Sequence, residues 1–151
     1  MDAATYKAVN RARVALTRGE KTFVIVGENK LLYHSDKRGL RPLLELIDSD
    51  PSRLEGSIVG DRIVGRAAAL LLIRGRVKAV FAQLIADEAI DLLQRHGVLP
   101  TWQETIPYVV ERDMTSRYKL DLYLKEVEDP QRAVAMIREY QEGGGGPESS
   151  E

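Results

Sequence analysis

At 151 residues and 16.9 kDa, with 44% hydrophobic and 30% charged side chains, the chain suits one ordinary globular domain with a core of its own. It has no cysteine, which removes disulfides, thiolate nucleophiles and every cysteine-held zinc or iron–sulfur site. Net charge is only −1, yet residues 1–86 carry 15 basic against nine acidic side chains and residues 87–151 carry seven against fourteen. That split permits a local anion site and supplies no general nucleic-acid footprint.

In chain order, Tyr6, Val9, Arg13 and Leu16, with Ala12 nearby, predict an amphipathic helix over residues 3–17. TFVIV, GENK and LLYH predict two short strands joined by a turn at Gly27 and Asn29. RGLRPLLELIDSD predicts a short helix with Pro42 in its first turn and Leu43, Leu44 and Ile47 on its apolar face; Pro51 and Gly56 then bound a loop. Residues 62–74 are expected to form the central helix, apolar nearly all round and so covered on more than one side. VKAVFAQLI predicts a buried strand, and DEAIDLLQRHG a helix opened by Asp87 and closed by Gly97. TWQETIPYVVERD begins extended, Pro107 arguing against an uninterrupted central strand. SRYKLDLYLKEV permits a strand by alternation or a short helix by leucine spacing. DPQRAVAMIREYQ predicts a last helix with Asp129 as N-cap and Pro130 at the first helical position. The expected organisation is a single layered α/β domain over residues 1–142 and a disordered Gly/Pro/Ser/Glu tail over 143–151. The most apolar later run, AAALLLI, is too short to cross a bilayer and MDAATYKAVNRARVAL has no long apolar signal core. The expectation is a cytoplasmic chain without membrane or nucleic-acid partners.

Polar chemistry gathers in GDRIVGRAAALLLIRG. Asp61 is expected to cap the central helix, and Arg62 and Arg66, four apart, to share a helical side where a phosphate or carboxylate meets the positive helix end. Pairing of both arginines with acidic residues or solvent is the plainer alternative. Gly60 is read as turn freedom. Gly65, inside the expected helix at a cost of ~1 kcal/mol against alanine, is read with Ala68, Ala69 and Leu72 as a ridge that lets another backbone approach. Neither GxxxxGK[ST] nor GxGxxG occurs. Lys37, Arg38 and Arg41 around Gly39 make a second candidate anion cluster at a helix entrance. His34 and His96, with no metal-binding companion at short spacing, read as strand-edge and helix-end residues. Thr101, Glu104 and Thr105, and likewise Tyr118, Lys119 and Asp121, are compatible with a polar pocket without indicating one.

The ordered run of FVIV with its hairpin, RGLRPLLELI, GDRIVGRAAALLL, VFAQLIADEAIDLL and IPYVVERD resembles the bacterial and archaeal domain-of-unknown-function family numbered 1893 over roughly residues 3–127. The resemblance implies a cytidine-deaminase-like, three-layer α/β/α domain with a mixed sheet, and no known deaminase activity. It marks Asp61, Gly65 and Arg66 as positions of a DKxxGKAAA-like pattern, in which Arg62 and Arg66 keep the charge of two lysines. A zinc deaminase needs His or Cys ligands and a proton-transferring glutamate. Here the corresponding stretches read VGRAA and IADEAI, so zinc is not expected and no other cofactor is predicted. Where family members carry an NRxGxxxCPME-like stretch this chain has ERDMTSRYKLD, which puts any shared late-loop activity in doubt.

These residues lead to three functional readings. The first is a small-anion or nucleotide-binding domain without zinc-deaminase activity, using Asp61, Arg62, Arg66 and the Lys37, Arg38, Arg41 cluster. The second is a structural or protein-interaction module, with a homodimer as one form, through an apolar surface of Val109, Val110, Tyr118, Leu120, Leu122 and Leu124. The third is an enzyme with metal-independent chemistry at Asp61 or Glu104.

Overall fold

A computed structural model describes residues 1–143. Its hairpin is β1 (Phe23–Val26) and β2 (Leu31–Ser35), antiparallel and closed by a Gly27 amide that donates to the Lys30 carbonyl at 2.8 Å. β1 also pairs antiparallel with β3 (Ile58–Val64); β3, β4 (Ala79–Ala86) and β5 (Leu99–Ile106) then run parallel, giving the order β2-β1-β3-β4-β5. Parallel neighbours need long crossovers. Helices α3 (Arg66–Arg74) and α4 (Asp87–Arg95) supply them.

Helix α1 (Ala3–Thr17) covers one face, where Ala8, Ala12 and Leu16 meet Val24, Val26 and Phe81. On the other face a larger core unites Phe23 and Ile25 with Leu43 and Leu44 of α2 (Arg41–Ser49), the whole apolar run of α3, and Leu92 and Leu93 of α4. α6 (Pro130–Glu142) lies on α3, capped by Asp129, whose carboxylate accepts from the Gln131 amide at 3.1 Å. The arrangement is the three-layer α/β/α domain with a mixed sheet. Among the described residues no helix is long and apolar enough to cross a membrane. The expected tail lies, beyond Gly143, outside the described residues.

Three local expectations are corrected. The inner face of α1 is Thr5, Ala8, Ala12 and Leu16, while Tyr6 is 65% exposed. Small residues face inward because the helix rides close on the sheet: a Cβ on Gly60 would sit 2.9 Å from Val24 Cγ2 and 3.0 Å from Ala12 Cβ. Gly60 therefore serves helix–sheet approach within β3 and no turn. Gly60→Ala is expected to lose about 1–3 kcal/mol of stability by overpacking, measured by urea unfolding; an unchanged midpoint would contradict that reading.

The second correction is the start of the central helix. Residues 58–64 are a strand, and the helix begins at Arg66 with Gly65 as its N-cap residue. The β-branched residues Ile58, Val59, Ile63 and Val64 suit a strand paired on both sides, and that pairing satisfies backbone groups a helix would otherwise have to bond. The third concerns α4: Asp87 is its first residue, with Ala86 in the capping position, so Asp87 and Glu88 complement the helix dipole instead of capping by a side chain. The ambiguous YKLDLYL stretch forms a one-turn helix, α5 (Lys119–Tyr123).

Candidate functional site

The parallel strands β3 and β4 deliver their carboxyl ends to the starts of α3 and α4, the edge of an α/β sheet where crevices form. Gly65 caps α3 with extended backbone, φ −104° and ψ −162°, and no side-chain bond, so the first-turn amides of α3 need a partner from elsewhere. Asp121 of α5 provides it. Its Oδ1 accepts from the Ala67 amide at 2.8 Å, and the Arg66 amide also stabilises its charge.

Asp121 is only 7% exposed. Burial pushes its carboxyl up to about 6 from 3.8; the Ala67 amide opposes that rise, the negative charge of Glu88 adds to it, and the Arg66 amide and guanidinium oppose it. A helix N-terminus normally favours a carboxylate, but here desolvation outweighs that help. The approach depends on Gly65, since a Cβ there would fall 2.2 Å from Asp121 Oδ2 and 2.7 Å from Val109 Cγ2. Gly39, Leu40, Ile63, Ala68, Val109 and Tyr118 complete the walls, leaving a cavity of about 10 Å³, room for roughly one water.

Arg66 is as buried as Asp121, at 7% exposed. Its Nε donates to the Leu124 carbonyl at 2.7 Å and its Nη2 to the Val127 carbonyl at 2.6 Å, holding the chain that leaves α5. Nη1 stands 3.8 Å from Glu88, whose other oxygen is 3.4 Å from Arg117. Before α5 the chain forms a small looped ribbon. Tyr118 donates its amide to the Val109 carbonyl and Glu111 donates to Ser116, both at 2.8 Å, and the Arg117 guanidinium lies 4.8 Å from the Tyr108 ring centroid. Asp113 accepts from the Thr115 and Ser116 amides, which hold its carboxyl well below the ordinary range.

Of the residues singled out in the sequence, Gly65, Arg66, Ala68, Val109, Tyr118 and Asp121 reach this site, and Ala69 is buried in the same helix. Asp61 does not cap α3: it sits within β3, where Oδ1 accepts from the Arg62 amide at 2.9 Å. Arg62 and Arg66 share no helical side. Arg62 lies on β3 and reaches away to the Lys21 and Gly19 carbonyls, at 3.0 and 2.9 Å, because the strand places it before the helix starts. Lys37 pairs with Glu45 at 2.8 Å, and Arg38 and Arg41 are exposed around Gly39, whose φ of 63° makes the turn into α2.

His34 is exposed on β2 and His96 at the end of α4, as their positions predicted, and the described residues hold no group of three or more His, Cys, Asp or Glu able to hold a metal. Glu104 is exposed on the edge strand β5, two strands from Asp61. The apolar surface expected from Val109, Val110, Tyr118, Leu120, Leu122 and Leu124 is largely consumed by the fold: Val109, Tyr118, Leu120 and Leu124 are core residues. Glu88 is the functional candidate that the sequence reading passed over, and Asp121 was named there only as compatible with a polar pocket. A lone aspartate within the apolar LDLYL run was the available signal.

The profile of a domain of unknown function (DUF1893) matches residues 11–141. Among solved structures, the chain is similar to a DUF1893 family protein from Thermotoga maritima, with 25% identity, a TM-score of 0.78, and 87% of this chain and 88% of that chain covered. It is also similar to an apo dCMP deaminase from the cyanophage S-TIM5, with 18% identity, a TM-score of 0.41, and 68% of this chain and 96% of that chain covered. No curated protein matches it.

Proposed function

Because the chain belongs to the DUF1893 family of domains of unknown function, we propose that it is a small-anion-binding domain whose seat is the start of α3, occupied in this conformation by its own Asp121. One observation carries this reading: a buried carboxylate, ionised only with difficulty, docked on the Ala67 amide. Helix N-termini bind carboxylates and phosphates through such amides and the helix dipole. A free carboxylate or phosphate monoester reaching the seat would meet the same amides beside the same Arg66 cation, in place of a side chain whose burial is costly.

The ligand set differs from the one expected. Arg66 stays in the proposal as the positive charge nearest the seat; Asp61 and Arg62 leave it, since both are engaged on β3. Arg38 and Arg41 adjoin in sequence the Gly39 and Leu40 that form one wall of the cavity, while Lys37 is paired with Glu45. The closed cavity is too small for a nucleotide, so a nucleoside monophosphate requires that α5 move aside. The proposed binding uses no zinc: the chain has no cysteine, and its two histidines stand on β2 and at the end of α4.

Vacating the seat tests the proposal. Asp121→Ala is expected to bind inorganic phosphate or a nucleoside monophosphate saturably in calorimetry, at least tenfold more tightly than the unaltered protein, a gain of about 1.4 kcal/mol. An Asp121→Ala protein that unfolds cooperatively yet binds neither probe would sink the reading.

A further inference from the structure

We propose that residues 107–124 form a strap that closes the α3 seat with Asp121 and lets go of it when that carboxylate ionises. The proposal rests on the anion-seat reading for what the seat is for; the strap's release is a property of the chain alone. Three observations carry it.

The first is how the strap is built. Its outer part, residues 112–117, is exposed, with Asp113 bracing Thr115 and Ser116 and Met114 at a φ of 66°. Its inner part docks through Val109, Tyr118, Leu120 and Leu124, through Asp121 on the α3 amide, and through the Arg66 bonds to the Leu124 and Val127 carbonyls. Helix α5 is five residues long. A helix of one turn has no stability of its own, so the order of this segment depends on docking, and it opens as a local unit.

The second is where the charge sits. Arg66 of α3 attracts the Asp121 carboxylate and Glu88 of α4 repels it. The remaining walls bring no charged side chain to the cavity: Ile63 comes from β3, Gly39 and Leu40 from the α2 entrance, and Val109 and Tyr118 from the strap itself. Glu88 is shared between Arg66 at 3.8 Å and Arg117 at 3.4 Å, so the charge that repels Asp121 also ties the strap to the body.

The third is the direction of the linkage. Asp121 has its carboxyl raised from 3.8 to about 6 when docked, so docking is strongest below the lower value and weakens as pH climbs through the higher. A rise of about two units corresponds to a roughly 100-fold weaker closed state once the group is ionised. An anion that takes the α3 amides must displace Asp121, so ligand binding and strap release are coupled, and each favours the other.

Amide hydrogen exchange on the full chain, without ligand, tests this. Opening of a peptide spanning residues 107–124 is followed from about pH 5 to about pH 8, with Asp121→Asn measured at each pH to cancel intrinsic exchange chemistry. The expected result is an opening that rises roughly tenfold in the unaltered protein relative to Asp121→Asn over that range, the rest of the roughly 100-fold change falling between the lower value of 3.8 and pH 5, while a β4 peptide spanning residues 79–86 changes equally in both. The same pH course in both proteins overturns the proposal. Glu88→Gln gives a second reading, since removing the repelling charge is expected to move the midpoint to lower pH; an unmoved midpoint also contradicts it. Release that follows this course while Asp121→Ala binds no phosphate would leave the strap standing and remove the anion-seat reading.

Discussion

Asp121→Asn is expected to raise the stability of the protein at neutral pH by roughly 3 kcal/mol and to change little below about pH 4, because two units of raised pKa are worth about 1.36 kcal/mol each. In the unfolded chain the carboxyl titrates near 3.8 and in the folded chain near 6, so between those values the folded state holds the extra proton. Stability therefore falls as pH rises through that window, the reverse of the usual aspartate. Asparagine keeps the oxygen that accepts from Ala67 and removes the charge that burial penalises. Urea unfolding of both proteins across the window measures the difference. A variant less stable than the unaltered protein at neutral pH would mean that the ionised carboxylate is a net support of the fold.

Arg66→Lys should be among the most damaging single changes in this region, at about 2–4 kcal/mol. Arg66 places one nitrogen on the Leu124 carbonyl and another on the Val127 carbonyl, in a site 7% exposed. A lysine keeps the charge but not the planar fork. A buried acceptor left without its donor costs ~1–3 kcal/mol, and two are at stake. Arg66→Ala also removes the cation that attracts Asp121, so its deficit should grow as pH rises. Unfolding midpoints for both variants decide the matter; wild-type stability in Arg66→Lys would show that the two carbonyls find other partners.

The same arginine shows how far the sequence could be read. Periodicity and turn chemistry located α1 over 3–17, the hairpin, α2, the strand ending at Ala86 and the Asp129-capped α6, because each has a local signal that tertiary contacts do not override. IVGDRIV carried two signals at once. An aspartate and two arginines ahead of an alanine–leucine run imitate a helix entrance, whereas pairing with β1 and β4 makes the stretch a strand. Moving the helix start to Arg66 separated the two arginines, and with them the anion site first expected.

Gly65 remained where close approach is needed, but the approaching groups are the Asp121 carboxylate and the Val109 side chain instead of the backbone first expected. The docking role of Asp121 was illegible for a different reason. It is separated from Ala67 by 54 positions, and nothing local in KLDLY distinguishes a buried docking carboxylate from one exposed on a short helix. Tyr118 and Val109 depended on the same long-range closure, which turned an expected interaction surface into core.

Docking of the strap on α3 turns on the ionisation of one side chain, which can be observed directly. Carbon-13 NMR of the Asp121 carboxyl, assigned by its loss in Asp121→Asn, should titrate near 6 in the folded protein. A midpoint at or below 3.8 would mean that the α3 amides and Arg66 outweigh burial, and that Asp121 is a permanent cap on the helix with no cost to release.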